Sequence, residues 1–153
     1  NISSSSVHLK VQTPYSLTKQ LGEMIVKSFN NPNFVNVRPY TLFGEGDAET
    51  HLIPTIIRHL KNGELMKLDP TPKHDFIHVE DFINYMFKGE TEIGSGISWS
   101  NLEIVEMLEK ISNKKLNFEK VTNLRPYDNL DWKSPKELKT NIYRRLKQTY
   151  DKG

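Results

Sequence analysis

Tyr15 and Lys19 stand four positions apart in Thr13-Pro-Tyr-Ser-Leu-Thr-Lys19, so on a helix their side chains project from one face within mutual reach. A neighbouring ammonium favours the phenolate electrostatically, which suits a tyrosine to proton transfer near neutral pH. A serine hydroxyl from an adjacent strand would complete the set by hydrogen-bonding the oxygen that gains or loses the proton. The run Ser3-Ser-Ser-Ser6 offers such hydroxyls. Tyr-x-x-x-Lys also decorates ordinary helix surfaces, and the spacing alone does not separate the two roles. Other chemistries have less behind them. His74 and His78 share one face of a strand without an evident third ligand, so no metal site is expected. No Gly-x-Ser-x-Gly elbow surrounds the serines, which argues against a serine hydrolase. The chain has no cysteine, which removes disulfides and thiol catalysis together.

The elements that must position these residues can be read from periodicity and caps. Asn1-Ile-Ser-Ser-Ser-Ser-Val7 reads as the tip of a strand opening into a loop, so the chain is expected to begin in mid-fold. Thr13 and Pro14 supply an N-cap and a first-turn proline. Leu17, Leu21, Met24, Ile25 and Phe29 then recur at helical spacing as far as Asn30-Asn-Pro32. A short strand is expected at Phe34-Val-Asn-Val-Arg38, followed by a Gly44-Glu-Gly-Asp47 loop. Helices are expected over Ile53 to Leu60, stopped by Asn62-Gly63, and from Phe82 to Met86 after a strand at Phe76-Ile-His-Val79. Ser100-Asn-Leu-Glu103 has the spacing of a capping box and opens another helix, with Leu116 to Val121 a strand beyond it. Ser134-Pro-Lys-Glu137 repeats the capping-box pattern ahead of Leu138, Ile142, Leu146 and Tyr150, which predicts a terminal helix. Asp75 and Asp81 read as caps and turn-holders, His78 as a packed strand residue, and the Gly44 and Gly94-Ser-Gly96 segments as turns.

The 153 residues are 36% hydrophobic, enough for one ordinary core. The 21 basic and 19 acidic residues are interspersed and sum to a formal charge of +2, so neither nucleic acid nor a membrane surface is an expected partner. No apolar run approaches the roughly 20 residues that span a bilayer, and a cytoplasmic setting is the default expectation.

Several motifs follow one another in order: the serine run, Thr13-Pro-Tyr-Ser-Leu-Thr-Lys-Gln-Leu-Gly-Glu23, Arg38-Pro-Tyr-Thr-Leu-Phe-Gly44, His74-Asp-Phe-Ile-His-Val-Glu-Asp81, Ile93-Gly-Ser-Gly96 and Leu130-Asp-Trp132. In this succession the chain resembles the extended short-chain dehydrogenase/reductases of the NAD-dependent epimerase/dehydratase type, which act on nucleotide sugars. The resemblance covers the C-terminal portion of such an enzyme. It implies an α/β fold: the C-terminal part of a Rossmann-type parallel sheet plus a small α+β substrate-binding domain. Residues 1–47 would be the last part of the cofactor domain and 48–153 mainly the substrate domain, with 74–96 partly returning to the former.

Carried onto this sequence, the resemblance makes Ser4, Tyr15 and Lys19 the catalytic set, with Tyr15, Lys19 and Tyr40 at the cofactor. Thr41, His74 and Arg125 fall at the substrate, Arg125 as the grip on its diphosphate. The implied cofactor is NAD or NADP and the implied ligand a nucleoside-diphosphate sugar. The implied partner is a second copy in a homodimer, or a missing N-terminal half. In the family the helix beginning at Pro14 packs in a dimer's four-helix bundle, so its apolar residues have either a core or a partner as destination.

The sequence also departs from the pattern. The glycine-rich fingerprint that cradles a cofactor pyrophosphate is absent, so this chain alone is not expected to form that site. The connections Ser6 to Tyr15, Asp81 to Ile93 and Asp128 to Leu130 are short. Asparagine is more usual at Thr41, arginine at His74, and Val-Tyr-Gly where Val7-His-Leu9 stands. Ser5 and Ser6 replace the acidic pair of dehydratases, which leaves epimerisation or reduction rather than 4,6-dehydration. The expected function is thus NAD(P)-dependent epimerisation, or a related redox modification, of a nucleoside-diphosphate sugar. A non-catalytic binding or assembly module of the same descent is the alternative.

Overall fold

The computed structural model describes residues 1–122 and 130–152. Arg125 lies outside them. The first parallel ladder is assembled from three distant segments. Ile2 bridges Val37 in parallel, with the Ser3 N–H donating to the Val37 carbonyl at 2.7 Å and the Val37 N–H to that of Asn1 at 2.9 Å. The next two residues, β1 (Arg38–Pro39), pair in parallel with β6 (Glu92–Ile93). Between Ile2 and Val37 runs α1 (Pro14–Ser28), a helical crossover between parallel segments.

Three further pairs extend this frame: β2 (Thr41–Phe43) with β5 (Phe76–His78) and β3 (Met66–Leu68) with β8 (Phe118–Lys120) in parallel, and β4 (Lys73–His74) with β7 (Trp99–Ser100) antiparallel. The remaining helices are α2 (Leu52–Asn62), α3 (Val79–Phe87), α4 (Asn101–Ser112) and α5 (Ile142–Lys152). The architecture is α/β with parallel strand pairing, as expected.

Local chemistry explains the boundaries. Thr13 and Ser16 cap α1 reciprocally, each side chain accepting from the other's backbone N–H. Ser100 and Glu103 do the same for α4. Ile53, Ile56, Ile57 and Leu60 put the buried face of α2 at helical spacing, and Gly63 ends that helix in the left-handed conformation at φ 73°. Alternation along β5 then divides the interior. Phe76 joins Phe43, Ile56, Leu68, Leu108 and Leu146 in the larger core, whereas Ile77 faces the other way and joins Val37, Phe82, Ile93 and Leu138.

Four expectations need correction. The strand tip at Ile2 opens into a short 3-10 helix, Ser5–His8, with Ser4 as its N-cap, where a plain loop is expected. The expected strand at Phe34 to Arg38 is ordered as ladder only from Val37, and Thr41–Phe43 forms an unexpected strand beyond it. Asp81 does not act as a cap, because Arg145 and Thr140 hydrogen-bond its carboxylate and tie α3 to the chain around α5. The fourth concerns Ser134, which opens no helix. Its N–H donates to the Asp75 carboxylate at 2.9 Å and the Leu138 N–H to the Ser95 carbonyl at 3.2 Å, so the segment is spread along the sheet end. The helix starts only at Ile142, where the Asn141 side chain accepts from the Arg144 N–H. His78 is a packed strand residue that also caps α3, its Nδ1 accepting from the Glu80 N–H.

Two ion pairs tie these parts together and set the acid response. Glu23 receives Arg38 through two hydrogen bonds of 2.6 and 2.5 Å, and these hold its carboxyl below the usual range. At Asp81 burial opposes ionisation, yet the hydrogen bonds from Arg145 and Thr140 outweigh it and again lower the pKa. A carboxyl with a depressed folded-state pKa contributes stability that is complete above its unfolded value of about 4 and is lost as the pH falls through the lower folded value. Urea unfolding at pH 7, 4 and 3 should therefore show midpoints falling below pH 4. Glu23→Gln and Asp81→Asn should each be less stable at pH 7 and lose less on acidification.

Candidate active site

The first turn of α1, the Ser4 turn, β2 and the ends of β4 and α4 enclose one groove of about 870 Å³. Thr13 and Pro14 fix the start of α1 and thereby place Tyr15 at the groove mouth, 56% exposed. One turn later Lys19 lies behind it. The Lys19 ammonium is 5.6 Å from the centre of the Tyr15 ring and donates to the Ile2 carbonyl at 3.2 Å, joining the helix to the strand end. Ser4 is buried on the same groove, and its hydroxyl accepts from the Ser6 N–H at 3.2 Å.

Tyr40 and Thr41 form the opposite wall. The Tyr40 N–H bonds the Ile93 carbonyl and the Thr41 N–H the Asp75 carbonyl, so ladder hydrogen bonds set both side chains. The Tyr40 phenol is pushed up to about 12 by burial, with the negative charges of Glu92 and Asp75 adding to it. It therefore stays protonated and serves as a wall and hydrogen-bonding group rather than as a base. Its ring lies 5.9 Å from that of Trp132, tilted by 52°. His74 also lines the groove, edge-on to Phe76 at 5.8 Å.

The structure thus brings Ser4, Tyr15, Tyr40, Thr41 and His74 to one groove and sets Lys19 directly behind Tyr15. It says nothing of Arg125. Three groove residues escaped assignment from the sequence. His51 Nδ1 is 2.7 Å from Asp47 Oδ1 at the rim; the spacing of four was visible, but it precedes α2 rather than lying within it. Asn101 donates to the Asp69 carbonyl at 2.8 Å, leaving its side-chain oxygen buried without a partner. In sequence it reads only as the second residue of a capping box. Trp132 carried a motif but no role, because its place beside Tyr40 depends on a contact across 92 residues of chain, the interval from 40 to 132. Among the described residues lining the groove there is no lysine or arginine.

Asp75 holds this end of the frame rigid. It is 1% exposed and receives four hydrogen bonds, from the Ser95 N–H and hydroxyl and from the Gly96 and Ser134 N–H groups. Gly94 must be glycine for the same reason, since a Cβ there would lie 2.3 Å from the Asp75 carboxylate.

A profile of the NAD dependent epimerase/dehydratase family matches residues 2–92. CDP-abequose synthase from Salmonella muenchen is 28% identical over 114 residues, covering 65% of this chain and 38% of that protein. Among solved structures, UDP-glucuronic acid 4-epimerase from Bacillus cereus, in complex with UDP-glucuronic acid and NAD, superposes with a TM-score of 0.81. It is 21% identical and matches 98% of this chain and 59% of its own. RMD from Pseudomonas aeruginosa, complexed with NADPH, gives 0.80 at 18% identity, over 98% and 64%. These likenesses show a Rossmann-like fold, and the chain spans less than two thirds of the length of each of these relatives. Since the family profile alone covers more than half of the sequence, the chain belongs to the NAD dependent epimerase/dehydratase family.

Proposed function

We propose that these residues serve the NAD(P)-dependent epimerisation, or a related redox modification, of a nucleoside-diphosphate sugar. The single observation that carries the reading is the gathering of Ser4, Tyr15, Tyr40, Thr41 and His74 on one groove, with the Lys19 ammonium 5.6 Å behind the Tyr15 ring.

The residues present fit the nicotinamide end of a dinucleotide: an exposed phenol, an adjacent ammonium and the Pro39-Tyr40 wall at the groove mouth. The cofactor, when bound, supplies the hydride acceptor and donor. Tyr15 takes the proton of the sugar hydroxyl as that oxygen becomes a carbonyl, and returns it on reduction. Ser4 hydrogen-bonds the same oxygen, while Lys19 stands behind the Tyr15 ring on the cofactor side. His51, His74 and Arg125 contact the diphosphate, the two imidazoles serving where arginine and lysine are lacking among the described lining residues. The cofactor's pyrophosphate would be held by residues outside these 153. Residues 1–47 would then be the cofactor-side part and 48–153 mainly the substrate part, with 74–96 shared. A cytoplasmic setting is the default that goes with it.

The outer side of α1 supports association. Leu17, Leu21, Met24, Ile25 and Phe29 are all exposed, Met24 by 65%, so their burial is left to a second copy or to a further part of the protein. That stripe also favours the competing reading, a non-catalytic assembly module. Calorimetric titration of the chain with NAD, NADP and uridine-, cytidine- or thymidine-diphosphate sugars separates the two. The catalytic reading expects saturable binding of a nucleotide sugar, weakened several-fold by Thr41→Val or His74→Ala. A folded, self-associating chain that binds none of these ligands would favour the module.

A further inference from the structure

α1 turns its polar side toward the rest of the chain. Ser16, Lys19, Gln20 and Glu23 recur at helical spacing. Ser16 and Glu23 are buried, Lys19 reaches the Ile2 carbonyl, and Glu23 holds Arg38. Gln20 is the member that reaches the turn carrying Ser4. Its side-chain amide donates to the Val7 carbonyl at 3.0 Å and to the Gln12 side-chain oxygen at 3.0 Å. Gln12 in turn donates to the Leu9 carbonyl at 2.6 Å and accepts from the Ser16 hydroxyl at 3.2 Å. The proton transfer uses neither glutamine.

The arrangement has a physical purpose that the turn itself cannot serve. The 3-10 helix is only four residues long, Ser5–His8, and is closed by bonds from the Val7 N–H to the Ser4 carbonyl and from the Leu9 N–H to that of Ser6. Such short 3-10 turns have poor hydrogen-bond geometry and leave their last carbonyls unpaired. The two amides occupy the carbonyls of Val7 and Leu9, just at that end. Upstream, the Ser3–Val37 ladder fixes the chain before Ser4; downstream, Gln20 fixes it after. Gln20 lies five residues beyond Tyr15 on the same rigid helix, so it ties the serine turn directly to the element that carries the tyrosine.

We propose that Gln20, together with Gln12, is a positioning residue that sets the Ser4 hydroxyl relative to Tyr15. This rests on the proton-transfer reading for its consequence, not for its geometry. A displacement of about 1 Å at a reacting group is enough to cost about 10²-fold in rate.

The test uses Gln20→Met, which keeps the length of the side chain and loses its hydrogen bonds, with Gln12→Met as a second variant. Hydrogen exchange on the whole chain should show the Ser6, Val7 and Leu9 amides exchanging about 5-fold or more faster, with those of α2 and α4 unchanged. In a form that turns over a nucleotide sugar, kcat should fall by about 10-fold or more while the sugar-nucleotide KM moves by less than about 3-fold. Gln20→Lys, which restores a donor to the Val7 carbonyl, should recover part of kcat. Unchanged exchange at Ser6 to Leu9, or faster exchange there with unaltered kcat, would overturn the proposal, as would a uniform rise in exchange across the chain. If a polypeptide that contains these residues and binds both NAD(P) and a nucleotide sugar turns over none, the catalytic reading fails on that result. The exchange pattern then still decides whether Gln20 holds the turn.

Discussion

Tyr15→Phe should lower kcat for a nucleotide sugar by about 10²- to 10⁴-fold, the usual contribution of a positioned acid–base group, while substrate binding changes only a few-fold. The substitution removes one oxygen from a side chain that is more than half exposed at the groove mouth, so the fold has little to lose. The effect is read from steady-state kinetics in a polypeptide that contains these residues and is active, with binding measured in parallel. Lys19→Met is expected to act in the same direction. Because the lysine also ties α1 to the Ile2 carbonyl, its loss should lower thermal stability slightly as well. Ser4→Ala should cost less than Tyr15→Phe, since it removes a hydrogen bond to the reacting oxygen and not the proton carrier.

The largest stability effect is expected at Asp75. Asp75→Ala strands three backbone N–H groups, while the Ser95 hydroxyl keeps the Ile97 carbonyl as an acceptor, and each unsatisfied buried donor costs about 1–3 kcal/mol. A loss of about 4 kcal/mol or more approaches the whole stability of a small domain. The midpoint of thermal unfolding should fall by about 10 °C or more, and part of the material should fail to fold. Asp75→Asn should be nearly as damaging, because both carboxylate oxygens face donors and one amide end would then present N–H to N–H. Ser134→Ala is the control. It leaves the Ser134 N–H in place and removes only a 3.3 Å contact to the Lys136 N–H, so it should cost about 1 kcal/mol or less.

The contrast between these residues shows what the sequence could carry. α1 and α4 were legible because their caps are local: Thr13 and Ser16 satisfy each other three residues apart, as do Ser100 and Glu103. Ser134-Pro-Lys-Glu137 has the same spacing and no helix, because the Ser134 N–H is taken by Asp75, 59 residues away. A local pattern cannot register that competition. The strand at Thr41–Phe43 was missed for a related reason: three residues are too few for periodicity, and it is defined by register with Phe76–His78.

The site divides in the same way. Ser4, Tyr15, Lys19, Tyr40, Thr41 and His74 were picked out through ordered motifs, and the structure gathers them. His51, Asn101 and Trp132 belong to the groove only through tertiary placement, as does the Gln12–Gln20 link. Their types and spacing say nothing of it.

The Ser4–Tyr15 groove is proposed to receive a nucleotide sugar. Site-resolved NMR titration of the chain with a nucleoside-diphosphate sugar, in the presence of NAD, tests it most directly. Saturable shifts should concentrate at Ser4, Tyr15, Tyr40, Thr41, His74 and the Trp132 indole, and leave the cleft of Arg58, Lys61 and Lys152 unmoved. Saturable binding whose shifts cluster at that other cleft, or no shift at any groove residue under saturating ligand, would rule the groove out as the sugar-nucleotide site.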